Sequence, residues 1–246
     1  MTTDDEQPRF RLAYVPGTTP GKWARRWTQR HPGIRLELHA CEVPDAIRLI
    51  ADGDVDAALT RLVASDGGSA LNTVELYTED TVVIAGVDHY LTAAAQLTVA
   101  DLADEQLLQP LDAVLAWEGL PGTMIEHRPE TTADAVELVA AGVGVLVVPQ
   151  SLARLHHRKD LAHRVVTDAP ASIVALCWPA PTDDVTEDFV GIVRGRGVNS
   201  SRGGTEEHRK RSAKEKTAAK RAAREAAGKV PGRNFGKSAA RRRGSR

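Results

Sequence analysis

Cysteine is nearly absent from this 246-residue chain: Cys41 and Cys177 are the two there are, far apart and each among apolar neighbours. Two such thiols support neither a disulfide framework nor a cysteine-based zinc site. Nor is there an apolar run approaching the roughly 18 residues that a membrane-crossing helix needs. The opening Met1-Thr2-Thr3-Asp4-Asp5-Glu6 is acidic, where a secretory leader would be basic and then apolar. The chain therefore reads as cytosolic. Net charge also looks absent, at −1. That balance averages two unlike regions. Residues 199–246 hold 16 Lys/Arg against 4 Asp/Glu, whereas residues 1–198 hold 16 against 29. An acidic body precedes a strongly basic tail, a division typical of interaction tails for nucleic acid or another anionic surface.

What is present is the composition of an ordinary globular protein, 42% apolar and 26% charged, long enough for one large or two small domains with a real core. Residues 9–15 alternate with strand period and stop at Pro16-Gly17. Thr18-Thr19-Pro20 then predicts a helix start, a threonine able to cap followed by proline in the first helical position. The helix runs to about Arg30, with Trp23 and Trp27 one turn apart on its buried face. Ile34, Leu36 and Leu38 mark a second strand, residues 44–52 a second helix, and residues 57–60 a third strand. That alternation is the order of a parallel α/β sheet. Farther on, residues 71–75, 81–85 and 107–108 read as strands and 99–105 as a short acidic helix. Residues 131–141 read as a helix closed by Gly142, and 143–148 as a strand buried on both faces. Extended structure returns over 164–179, and helix over 182–196.

The ordered pieces HPGIRLELHA (31–40), AIRLIADGDVDAALTRL (46–62), TVVIAGVDHYL (81–91), LTVADLADEQLL (97–108), ADAVELVAAGVGVLVVPQSLA (133–153) and VALCWPA (174–180) resemble the effector (substrate)-binding domain of LysR-type transcription regulators. The resemblance covers residues 9–196, and VAAGVGVLVVP is its sharpest part. It implies a type 2 periplasmic-binding-protein fold: α/β, two-lobed, with mixed or parallel sheets. Lobe I would span about 9–79 and 164–198, lobe II about 80–163, with ligand in the cleft between. LysR-type regulators carry a winged helix-turn-helix and a linker helix ahead of this domain, whereas eight residues precede Arg9 here. The turn His89-Tyr90-Leu91-Thr92 matches the family loosely, and the basic tail is extra. Operator binding by the family's usual route is thus not implied.

Thr18 and Thr19 fall at the strand-to-helix turn, where hydroxyls and unpaired N–H groups meet the positive end of a helix dipole, a setting for a carboxylate or phosphate. The resemblance carries a ligand-contacting Ser/Thr onto these two; the plainer reading is that Thr19 caps its own helix. Thr131 and Thr132 open the lobe-II helix and are expected to face the cleft from the other side. Two helix N-termini converging on one gap suit a small anion, with ordinary capping as the alternative. Arg61, beside the expected hinge, is a partner for a ligand carboxylate or else a solvated hinge residue. Gln109, at the end of a lobe-II strand, is a further candidate. His156, His157, Asp160 and His163 lack fixed metal-ligand spacing, and Arg154, Arg158 and Lys159 crowd them with positive charge, so a surface helix and loop is expected. Gly142-Val143-Gly144 lacks the third glycine of a phosphate loop, and Ser151 is not in a nucleophile elbow. No catalytic constellation is recognised, so neither enzyme, cofactor nor metal is expected.

In the tail, residues 199–204 have linker composition, and 205–227 are strong helix formers without an apolar stripe. Residues 229–246, rich in Gly and Arg, read as disordered. Arg209, Lys210, Arg211, Lys214, Lys220, Arg221, Arg241, Arg242 and Arg243 are the residues expected to meet nucleic-acid phosphates without sequence preference; an inert solubilising tail is the alternative. The leading expectation is a sensor or regulator that takes a small anionic metabolite in its cleft and pairs as a homodimer. A nucleic-acid-associated protein acting through the tail is second, and an enzyme on the same fold third.

Overall fold

The computed structural model describes residues 7–62 and 71–195. The tail residues singled out above lie outside them.

Strand β1 (Arg9–Tyr14), helix α1 (Gly21–Arg30), β2 (Arg35–Ala40), α2 (Val43–Ala51) and β3 (Ala57–Arg61) follow one another as the periodicity predicts, with β1 parallel to both β2 and β3. Alternation along β1 divides its side chains between two cores. Phe10 and Leu12 join Trp27 of α1, while Ala13 and the following Val15 join Ala46 and Ile50 of α2. Trp27 is fully buried, 5.2 Å from the ring of Phe10, and its indole N–H donates to Ile34 O at 3.0 Å. Two strands complete this sheet: β4 (Leu71–Glu79) at its edge and β11 (Ser172–Pro179), antiparallel between β3 and β4, giving the order β2-β1-β3-β11-β4. Helix α5 (Asp184–Val193), capped by Asp183, returns Phe189 to the Trp27 core.

The second sheet contains β5 (Thr81–Gly86), β6 (Gln96–Leu97), β7 (Gln106–Leu108), β8 (Thr123–Met124), β9 (Val145–Pro149) and β10 (Leu161–Val166). Its strand order is β6-β10-β5-β9-β7-β8. Helices α3 (Thr132–Ala140) and α4 (Gln150–Leu155) belong to it. One face packs Val82, Ile84, Leu146 and Val148 on α3 and α4; the other packs Val83, Ala85, Leu102 and Val145. Both faces are dry, which is why β5 and β9 read as continuous apolar runs. The chain crosses from the first sheet to the second between Glu79 and Thr81 and returns between Val166 and Ser172.

Four expectations change. The return to the first sheet falls after Val166, not at residue 164, because β10 pairs with β5 of the second sheet. Residues 99–105 hold only a 3-10 turn, Val99–Leu102, under a Thr98/Asp101 capping box. Thr18 and Thr19 do not cap α1. Pro20 is the N-cap, already in helical conformation, and the Thr18 hydroxyl turns back to Val15 O at 2.6 Å. Helix α4 lies where Pro149 signals only a strand end, so His156 caps a helix and His163 sits in a strand. No helix among the described residues is long and apolar enough to cross a membrane.

Candidate functional site

Where the two crossings meet the cleft, the interior holds a charge pair. Arg61, the last residue of β3, is 1% exposed. Its Nε donates to Glu79 Oε2 at 2.9 Å, one terminal nitrogen to Pro16 O at 2.8 Å, and the other to Ser151 Oγ at 2.8 Å. Ser172, at the start of β11, also donates to Glu79, at 3.3 Å. Arg61 is therefore not a solvated hinge residue, and Glu79 matches its charge inside the protein. Gly17 permits this: its φ is +81°, and a Cβ there would stand 2.7 Å from Ser151 Oγ and 3.0 Å from the Arg61 guanidinium.

Two cavities flank the pair. The outer one, about 590 Å³, is walled by Thr18, Thr19 and Tyr77 from the first sheet's side and by Gln150, Ser151 and Arg154 from the second's. Thr19 is exposed to it, and the first turn of α1 carries no acid. The Tyr77 phenol is pushed up by burial first and by Glu79 second, with Arg61 opposing, so at neutral pH it remains a hydrogen-bond donor. The inner cavity, about 260 Å³, is walled by Arg61, Thr131, Thr132 and Asp112 among apolar side chains. Thus the two threonine pairs do not converge on one gap. The inner pair is, moreover, fully engaged. Thr131 forms a capping box with Asp134, and Thr132 gives its N–H and hydroxyl to Asp112, each at 2.9 Å. Asp112 was not foreseen from the sequence. Gln109 lines a third hollow, apart from both, and its carbonyl is held by Arg128 Nε at 2.9 Å.

The remaining reactive groups lie elsewhere. His163 on β10 is pushed down by burial first, then by Arg154, Arg164 and His157. Among the described residues no group of His, Cys, Asp and Glu is placed to hold a metal ion. Cys177 is buried and Cys41 partly so, both packing in the α2 core. The Cys41 thiol is pushed up by burial first and by Asp45 and Glu42 next.

Two sheets, crossed twice by the chain and enclosing cavities at their junction, define a two-lobed α/β ligand-binding domain. The family model of the LysR substrate binding domain matches residues 3–197, and the chain belongs to that family. It is 28% identical over 163 residues to a protein of Mycobacterium avium named as a probable hydrogen peroxide-inducible genes activator, covering 61% of this chain and 51% of that one. A protein of the same name from Mycobacterium leprae is 29% identical over 157 residues, 58% and 50% of the two chains. The chain spans about half the length of these relatives. Among solved structures, the oxidized form of OxyR matches with a TM-score of 0.64 at 20% identity, over 77% of this chain and 96% of that one. The BenM effector binding domain with its effector benzoate matches with 0.62 at 20%, over 82% and 99%. At such identity these two show the shared fold.

Proposed function

We propose that this chain is the sensing module of a cytoplasmic transcription regulator, binding a small anionic metabolite in its outer cavity without transforming it. One observation carries the reading. A cavity of about 590 Å³ lies between the lobes, with Thr18 and Thr19 just ahead of α1, no acid in that helix's first turn, and Arg154 on the facing lobe. That volume is in the ordinary range for small-molecule pockets, and a helix start with an arginine near it favours a carboxylate or phosphate. Of the two acids that line it, Glu79 is matched by Arg61 and Asp80 is exposed to solvent, which screens its charge. Oxidation of a thiol fits less well. Peroxide attacks thiolates, and burial with two neighbouring acids keeps the Cys41 thiol protonated.

A thermal-shift screen of organic acids and phosphate esters tests the reading, since a ligand at 100 times its Kd adds about 2.7 kcal/mol of stability. Thr19→Val and Arg154→Ala change exposed side chains and should leave unliganded stability within about 0.5 kcal/mol. Together they should remove the ligand-induced shift. An undiminished shift in the double variant would take the outer cavity out of the function. A second reading, nonspecific nucleic-acid binding through the tail, is favoured by the charge division along the sequence.

A further inference from the structure

The inner cavity already has an anion in it, and that anion belongs to the chain. Asp112 accepts the backbone N–H of Thr132, the first residue of α3, and also its hydroxyl, both at 2.9 Å. This is the position and the pairing that a bound carboxylate takes at a helix N-terminus. Asp134 answers the preceding residue in the same way, accepting the N–H and hydroxyl of Thr131 at 3.2 and 2.7 Å. Nor does Asp112 sit on a loose loop. Leu111 N–H donates to Pro129 O at 2.9 Å, and Arg128 holds the carbonyls of Gln109 and Pro110 at 2.9 and 3.1 Å. The carboxylate is therefore preorganised in the wall of a cavity of about 260 Å³ whose other surfaces include Val43, Pro44, Val114 and Leu152. Of the titratable groups around it, Glu42 is a second acid, Arg61 spends its charge on Glu79, and His156 lies at the end of α4.

We propose that Asp112 sets the ligand class of this inner cavity: it shuts out carboxylates by taking their place and accepts a compact, mainly apolar molecule bearing a primary ammonium. The inference rests on the cleft being the ligand site and concerns its inner part alone. An entering carboxylate finds the α3 N-terminus already neutralised and two like charges, Asp112 and Glu42, beside it. An entering ammonium finds in Asp112 a carboxylate with lone pairs left after its two bonds to Thr132. The apolar wall takes up the rest of such a molecule. The outer and inner cavities share Pro16 and Leu155, so pockets of opposite preference lie side by side in one cleft.

Benzylammonium and benzoate test this directly, being close in size and opposite in charge. Both are titrated calorimetrically into the full chain carrying Thr19→Val and Arg154→Ala, so that binding at the outer seat does not contribute. Whether that outer seat exists is decided separately by the thermal-shift comparison, and the two readings can fail independently. With Asp112 intact, benzylammonium should bind at least about tenfold more tightly than benzoate, as a charge-assisted hydrogen bond against a like-charge contact requires. Asp112→Asn keeps an acceptor for Thr132, and with it the fold, and should abolish the preference. Asp112→Ala vacates the α3 N-terminus and should reverse it. Tighter benzoate binding with Asp112 intact, no binding of either probe, or a preference that survives both substitutions would each overturn the assignment.

Discussion

Replacing Arg61 by methionine is expected to destabilise the fold by about 3–5 kcal/mol, because it leaves Glu79 as an unpaired charge in the interior. Glu79 is 7% exposed and Arg61 1%, so water cannot replace the lost guanidinium. The loss also spreads beyond one pair. Arg61 ties the end of β3 to the Pro16 carbonyl after β1, to Ser151 of α4 and to the last residue of β4. Through Glu79 it reaches Ser172, where the chain re-enters the first sheet. Both crossings between the sheets thus depend on one side chain. The diagnostic is the double variant Arg61→Met, Glu79→Leu. Removing both charges also removes the uncompensated one, and a buried pair replaced by apolar groups is often close to neutral. Urea unfolding of the two single variants and the double should therefore give a large favourable coupling. A single variant near wild-type stability, or a double as unstable as the sum of the singles, would show that the pair does not hold the lobes.

The same pair shows where sequence reading stops. Strand and helix order in the first lobe is legible because β1 alternates and α1 places Trp23 and Trp27 one turn apart; both signals are local. Arg61 is visible as a charge at the end of a strand, but its partners lie 18 and 90 residues away, at Glu79 and Ser151. Nothing local in the sequence links them, so the residue looks free for a ligand. Asp112 escaped for the same reason, since it meets Thr132, 20 positions further along the chain. The Thr18-Thr19-Pro20 signal is truly ambiguous in local terms. Proline fits both the N-cap and the first helical position, and the bond from Thr18 to Val15 O, which depends on the turn's path, decides between them. Helix α4 is six residues long, too short for a helical period to show. The cleft as a region followed from the resemblance to the LysR-type effector-binding domain, and the order of elements alone gave a parallel α/β sheet. Its division into two cavities by a buried ion pair was not.

The 246-residue chain is expected to bind random-sequence duplex DNA with an affinity that falls about 10³-fold or more between 50 and 200 mM salt, whereas a chain ending at Ser200 should not bind measurably. The prediction comes from charge alone. Residues 199–246 hold 16 Lys/Arg against 4 Asp/Glu, and the preceding residues hold 16 against 29. An acidic body is repelled by phosphate, so contacts must come from the tail. Met1–Ser200 form a compact unit of their own, so a chain ending there keeps that unit whole. If six to ten of the tail's cations meet phosphates, the slope of log K against log salt should lie at roughly −5 to −9, released counterions providing the drive. Sequence preference should be absent, because phosphate contacts position a protein without reading bases. Phe235, the only aromatic after residue 198, offers one stacking surface at most. Fluorescence anisotropy of both chains at several salt concentrations separates the outcomes. Equal affinity of the two, or binding indifferent to salt, would mean that the tail's charge serves something other than nucleic acid.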